Sequence, residues 1–255
     1  MLNKRQKFIA SSILLSLGFV GIRFLGDDYR FLGIGILAML SVLSFLWSLD
    51  GLGFNATLLV LILPSFFTLG VGLFWFLLPA TMFARIPIII LYGIGIYALS
   101  LTMNIFTVSS IRTIALARAA KGVGFVLTLF TGFLLYDAIL SLRASWFITN
   151  IIIYLVSFPL ILQGLWSGKL MRQFEKGLII YSAVLAYGIT AIAMVLYFWP
   201  VSVVEGAIFL TVSMYVLLGL GQSDQEGRLF RQTVQEYLVI GITVFLAMVL
   251  FTSWR

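Results

Sequence analysis

Apolar runs of membrane length recur along the whole of this chain, and they limit what it can fold into. Roughly 20 consecutive, mainly apolar residues cross the hydrocarbon core of a bilayer as an α-helix. The 255-residue sequence offers such a run nine times, near 8–25, 31–49, 57–78, 87–108, 122–142, 146–166, 178–198, 202–221 and 236–253. A water-soluble fold would need a polar shell, and the chain has too little polar material to build one. Of its residues, 62% are hydrophobic and 10% are charged, against roughly 25% charged in ordinary soluble domains. In lipid each backbone N–H and C=O must be satisfied within its own segment, so runs of this length become helices. The expectation is an all-α, polytopic transmembrane helix bundle, a single membrane domain over residues 1–255.

Topology follows from the charges between the runs. The first run is preceded by NKRQK, as in a signal peptide, but GIRFLGDDYR follows it with no small-x-small cleavage pattern. It reads as a retained helix. Segments 143–145 and 199–201 are so short that the runs on either side form tight antiparallel hairpins. Placing the N-terminus in the cytoplasm puts Lys4, Arg5, Lys7, Arg112, Arg118, Lys121, Lys169, Arg172, Lys176, Arg228 and Arg231 inside. Arg23, Arg30, Arg85, Arg143 and Arg255 then fall outside. That asymmetry is the one the positive-inside rule describes, so the chain reads N-inside and C-outside. Trp47, Trp75, Trp146, Trp166, Trp199 and Trp254 all lie within a turn or so of a run's end, where amphipathic rings favour the interface.

The same residues exclude several chemistries. The formal net charge is +7, yet the cations form no stripe with interleaved aromatics, which argues against nucleic acid. Clusters between apolar runs instead suit anionic lipid head groups and a membrane-protein partner. Arg112, Arg118, Lys121, Lys169, Arg172, Lys176, Arg228 and Arg231 are the candidate contacts. The sequence contains neither cysteine nor histidine. Thiolate chemistry, His-based dyads and the usual haem, zinc, iron–sulfur and copper sites therefore lack their ligands, and no cofactor or metal is expected.

Six GxG triplets, at 33–35, 51–53, 70–72, 93–95, 122–124 and 219–221, mostly lie within or at the ends of helix-length apolar runs. A phosphate loop would need a strand before it, so close helix packing through small residues explains them better. Pro64 and Pro159 fall inside runs three and six and predict kinks. The segment 109–122 either extends run four or lies along the membrane surface. In 223–238, Glu226 with Arg231 or Asp224 with Arg228 could pair at helical spacing.

One constellation stands out. Asp137 lies five residues before the outer end of run five, about 8 Å below the interface at 1.5 Å per residue. In this topology Arg23, Asn150 and Glu205 fall at the same depth on runs one, six and eight, with Arg143 and Arg85 just above. Leaving such groups towards lipid is costly, so they should turn inward or snorkel. Two readings are open. Asp137 forms a structural ion pair with Arg23 or Arg143, or a protonated Asp137 bonds Ser141; or Arg23, Asp137, Asn150, Glu205 and Arg143 line a polar pocket that handles a substrate or a proton. Catalysis has less support, since Asp137 and Glu205 would be an acid/base pair with no activated nucleophile in view.

The stretches FWPVSVVEGAIFLTVSMYVLLGLGQ (198–222), RLFRQTVQEYL (228–238) and NIFTVSSIRTIALARAAKGVGF (104–125) resemble uncharacterised multi-spanning membrane proteins of candidate-phyla bacteria. The resemblance implies a bacterial cytoplasmic membrane and a family with no assigned activity, and it carries no residue roles. The leading functional expectation is a non-enzymatic subunit or accessory of a membrane assembly, or a component of lipid or envelope handling. The alternative is a small-solute or lipid transporter using the outer pocket. The third is an intramembrane lipid-modifying enzyme.

Overall fold

In a computed structural model, residues 3–22, 24–26, 29–49, 54–78, 82–109, 115–170 and 175–252 are described. Among them the chain forms nine α-helices and no strand. In order they are α1 (Lys4–Ile22), α2 (Arg30–Ser48), α3 (Phe54–Leu77), α4 (Met82–Ser109), α5 (Ala117–Ser141), α6 (Trp146–Lys169), α7 (Lys176–Tyr197), α8 (Val203–Gln225) and α9 (Arg231–Phe251). From α2 to α9 the eight helices are long and apolar enough to cross a membrane. The first turn of α1 is Lys4, Arg5, Gln6 and Lys7, which leaves only Phe8–Ile22 as its apolar part.

Packing divides the chain into two compact units, the first running to Thr131 with Leu170 added, the second holding Gly132–Lys169 and the remainder from α7 on. Helix α5 gives its residues up to Thr131 to one unit and those from Gly132 to the other.

In the first unit α1 to α4 close a ring, each helix packed on the next and α4 on α1. The contacts are antiparallel: Lys7 meets Trp47, Ile34 lies opposite Gly72, and Thr68 meets Tyr92. At its centre Tyr92 meets Phe19 edge-on at 4.5 Å between centroids and stacks on Phe67 at 5.7 Å. Offset and edge-to-face pairs of this kind add to the burial of the rings themselves. The Tyr92 hydroxyl lies 2.9 Å from Thr68 Oγ1, which also bonds the Pro64 carbonyl at 2.8 Å. Pro64 cannot donate one turn back, and Ser65 Oγ takes up the neighbouring Leu61 carbonyl at 2.9 Å. Gly95 is required here, because a Cβ would sit 2.5 Å from the Phe67 ring.

In the second unit α6, α7 and α8 pack on one another, and α9 lies against α8. Gly164 of α6 faces Leu218 of α8, and its carbonyl accepts Gln222 Nε2 at 2.8 Å. Residues 160–168 are buried on every side of α6. By contrast α9 is mostly exposed apolar surface, held by Tyr237 over Gly219 and by Phe245 against Trp199 and Phe209.

Of the GxG glycines, Gly33, Gly72, Gly93, Gly95, Gly219 and Gly221 face a neighbouring side chain so closely that a Cβ would collide with it, and at Gly124 a Cβ would be in tight contact with Phe106. Gly35 and Gly122 face open space, and 51–53 lie outside the described residues. Segment 109–122 is divided: α4 ends at Ser109, and Arg118 and Lys121 already belong to α5. The ion pair of the α8–α9 turn is Glu226 with Arg228, because α8 ends at Gln225 and Gly227 turns at φ +67°. Expecting helical i,i+4 spacing there assumed a helix that does not continue.

Candidate functional site

Asp137 sits one turn before the end of α5. Every residue from Leu134 to Ile139 is buried, so the helix is enclosed all the way round at this level. Asp137 itself is 5% exposed, and its Oδ1 is buried without a hydrogen-bond partner. Beside it Tyr136 ties helices together: its hydroxyl lies 2.7 Å from Ser157 Oγ of α6 and 3.6 Å from Met214 Sδ of α8. No hydrogen bond joins Asp137 to Ser141, and no ion pair joins it to Arg143.

The other members of the expected constellation have partners of their own. Glu205 caps α8: its Oε2 accepts the Ser202 N–H at 2.8 Å, while Ser202 Oγ accepts the Glu205 N–H at 3.3 Å. This capping box satisfies two N–H groups at the start of the helix. The side-chain amide of Asn150 donates to the Trp146 carbonyl at 2.7 Å, one turn back on α6, and its Oδ1 is buried without a partner. Arg143 is exposed in the α5–α6 turn, with φ 47°. Arg85 lies over the Trp75 ring, 5.0 Å from its centroid, in the first unit. Among Asp137, Arg143, Asn150 and Glu205 no two are joined by a hydrogen bond or an ion pair. Arg23 lies outside the described residues.

In each unit the cations collect at one end. Lys4, Arg5 and Lys7 start α1, and Arg118 and Lys121 start α5, whereas Arg30 and Arg85 lie at the opposite end. In the second unit Lys169 ends α6, Lys176 starts α7, and Arg228 and Arg231 flank the start of α9, while Arg143 is the one described cation at the other end. All of these but Lys7, Lys121, Arg30 and Arg85 are exposed, Arg228 being paired with Glu226. Arg112 and Arg172 lie outside the described residues.

Two clefts open on the apolar sides of the units. One, of about 560 Å³, runs between α1 and α4 and is lined by Ile9, Ile13, Leu17, Ile90, Ile94 and Tyr97 among others. The second, about 320 Å³, lies between α6 and α7, with Trp146, Asn150, Tyr187, Thr190 and Phe198 in its walls. Of the described members of the constellation, Asn150 lines one of them and Asp137, Glu205 and Arg143 line neither.

Sequence reasoning missed three of these features. The Tyr136–Ser157 tie and the α1/α4 cleft leave no local pattern in the sequence. The Ser202-Val-Val-Glu205 spacing does, since Ser-x-x-Glu before an apolar run signals a capping box.

Long apolar helices with short turns, cations at one end of each unit and a cleft lined by exposed isoleucines define a multi-pass helical membrane protein. Residues 15–251 match the family described as protein of unknown function (DUF5656). The chain belongs to that family. No curated protein and no solved structure matches it.

Proposed function

We propose that this chain is a non-enzymatic membrane protein that works through its lipid-facing helices and its basic end, as an accessory subunit of a membrane assembly or in lipid handling. The observation that carries this reading is that Asp137, Arg143, Asn150 and Glu205, the described polar residues suited to chemistry or transport, are not bonded to one another, while the two clefts described are apolar. We place it in a bacterial cytoplasmic membrane, and the segregation of cations supports an orientation with Lys4 and the other basic turns in the cytoplasm. An acid/base enzyme finds no support in Glu205, whose carboxylate is held by the Ser202 N–H.

A second reading, transport of a small solute, a lipid or a proton, has one observation in its favour. Asp137 is a buried carboxyl whose Oδ1 has no bonded partner, an arrangement that marks functional residues in membrane helices. The two readings separate in reconstituted liposomes. Wild-type protein should scramble fluorescent phospholipids and leak protons no faster than empty liposomes. A flux above that background, lost in Asp137→Asn with folding intact, would replace the accessory reading by the transporter.

A further inference from the structure

Two exposed cations at the start of α1 are bound to nothing in the fold. Lys4 and Arg5 make no ion pair or hydrogen bond among the described residues. Lys7 differs: it donates to the Trp47 carbonyl at 3.2 Å and lies 5.0 Å from that ring's centroid. Arg5, Ile9, Ile13 and Leu17 recur at four-residue steps, which places them on one stripe of α1. The last three form one wall of the α1/α4 cleft.

On α4 the opposite wall, Ile90, Ile94 and Tyr97, continues at helical spacing to Asn104. Because α1 and α4 are antiparallel in the ring, Asn104 approaches the end that holds Arg5. Asn104 is half-buried and bonds no described residue. The lining of this apolar cleft of about 560 Å³ ends at Ile9 and Tyr97. Arg5 follows one turn beyond on α1, with Lys4 next to it in the chain, and Asn104 two turns beyond on α4.

We infer that this cleft binds one anionic phospholipid. An acyl chain lies between α1 and α4, and the head-group phosphate takes charge-assisted hydrogen bonds from Lys4 and Arg5 and one from the Asn104 amide. Charge selects the occupant. A Lys or Arg near the surface favours an anionic lipid by about fivefold in affinity. A second copy of the chain docked symmetrically would bring Lys4 and Arg5 of both molecules to one surface, where like charges oppose it. The site does not depend on the accessory reading, since a transporter could hold the same lipid.

Native mass spectrometry of the full chain in detergent tests it with phosphatidylglycerol, phosphatidylcholine of the same acyl chains, and glycerol phosphate. One phosphatidylglycerol should be retained, in clear preference to phosphatidylcholine, and glycerol phosphate should not be. The double variant K4Q/R5Q, at two exposed positions that leave the fold intact, should lower phosphatidylglycerol retention about 25-fold, fivefold for each cation. Ile94→Trp, which fills the cleft, should weaken both lipids. Equal retention of the two lipids, or retention unchanged in both variants, overturns the site. Glycerol phosphate binding as well as the lipid would reduce it to a bare anion site. A dimer abolished by Ile94→Trp, in place of bound lipid, would make the cleft an interface between copies.

Discussion

The two halves of this protein hold their helices together by different means. The first unit closes four helices into a ring around aromatic rings, and Thr68–Tyr92 is the polar contact at its centre. The second has polar ties between helices, Tyr136 to Ser157, Gln222 to the Gly164 carbonyl and Trp199 to Thr252, and leaves α9 on its rim. In lipid the hydrophobic effect does not drive helices together, so association rests on close packing and on interhelical hydrogen bonds. Among the contacts described, the first unit's other interhelical hydrogen bond, Lys7 to the Trp47 carbonyl, lies at the ends of α1 and α2, while the second unit has more such bonds. The one buried carboxyl described, Asp137, sits where polar ties are already in use.

Substitutions in each unit test this contrast. The largest effect is expected from Gly95→Leu, which drives a side chain into Phe67, wedged against Tyr92 and Phe130. Overpacking should lower stability by about 3 kcal/mol, read as a fall in the thermal midpoint in detergent. Gly219→Leu meets Tyr237 instead, on the open α8–α9 seam. It should cost about 1 kcal/mol, with faster hydrogen exchange confined to α9. Equal losses would show that the second unit is as closed as the first.

Tyr136→Phe removes the hydroxyl bond described for Ser157 and should cost about 1.5 kcal/mol. Tyr92→Phe should cost less, about 0.6 kcal/mol, because Thr68 keeps its bond to the Pro64 carbonyl. A reversed order would put the polar core in the first unit. Ser202→Ala opens the capping box of α8 at about 1 kcal/mol, whereas Glu205→Gln, which can still cap, should be near neutral in a melt. Smallest of all is Arg143→Gly. Relief of a left-handed backbone and loss of chain stiffness should nearly cancel, leaving the midpoint within about 0.5 kcal/mol of wild type.

Helix positions were legible because lipid demands long uninterrupted apolar runs. The helices extend beyond those runs mainly where cations such as Arg118 and Lys121 can reach the interface from a first turn. Helix partners were not legible, for a physical reason. When the solvent is itself apolar, the residues facing it look like those in the core: Ile94 is 60% exposed while Ile96, two positions on, is fully buried. Hydrophobic periodicity, which orients helices in water, then carries little information. At the candidate site, position along the helix could be read for Asp137, Asn150 and Glu205. Their bonding could be read only for Glu205, through its spacing from Ser202, because that partner is local in sequence.

The shortness of α1 has a consequence for the bilayer itself. Its apolar part, Phe8–Ile22, spans about 22 Å at 1.5 Å per residue, less than a hydrocarbon core of roughly 30 Å. Its exposed face carries Ile13 and Leu17. A helix too short for its membrane is accommodated by thinning the bilayer beside it. If α1 crosses the bilayer, the protein should be more stable in bilayers of short acyl chains than in those of long ones.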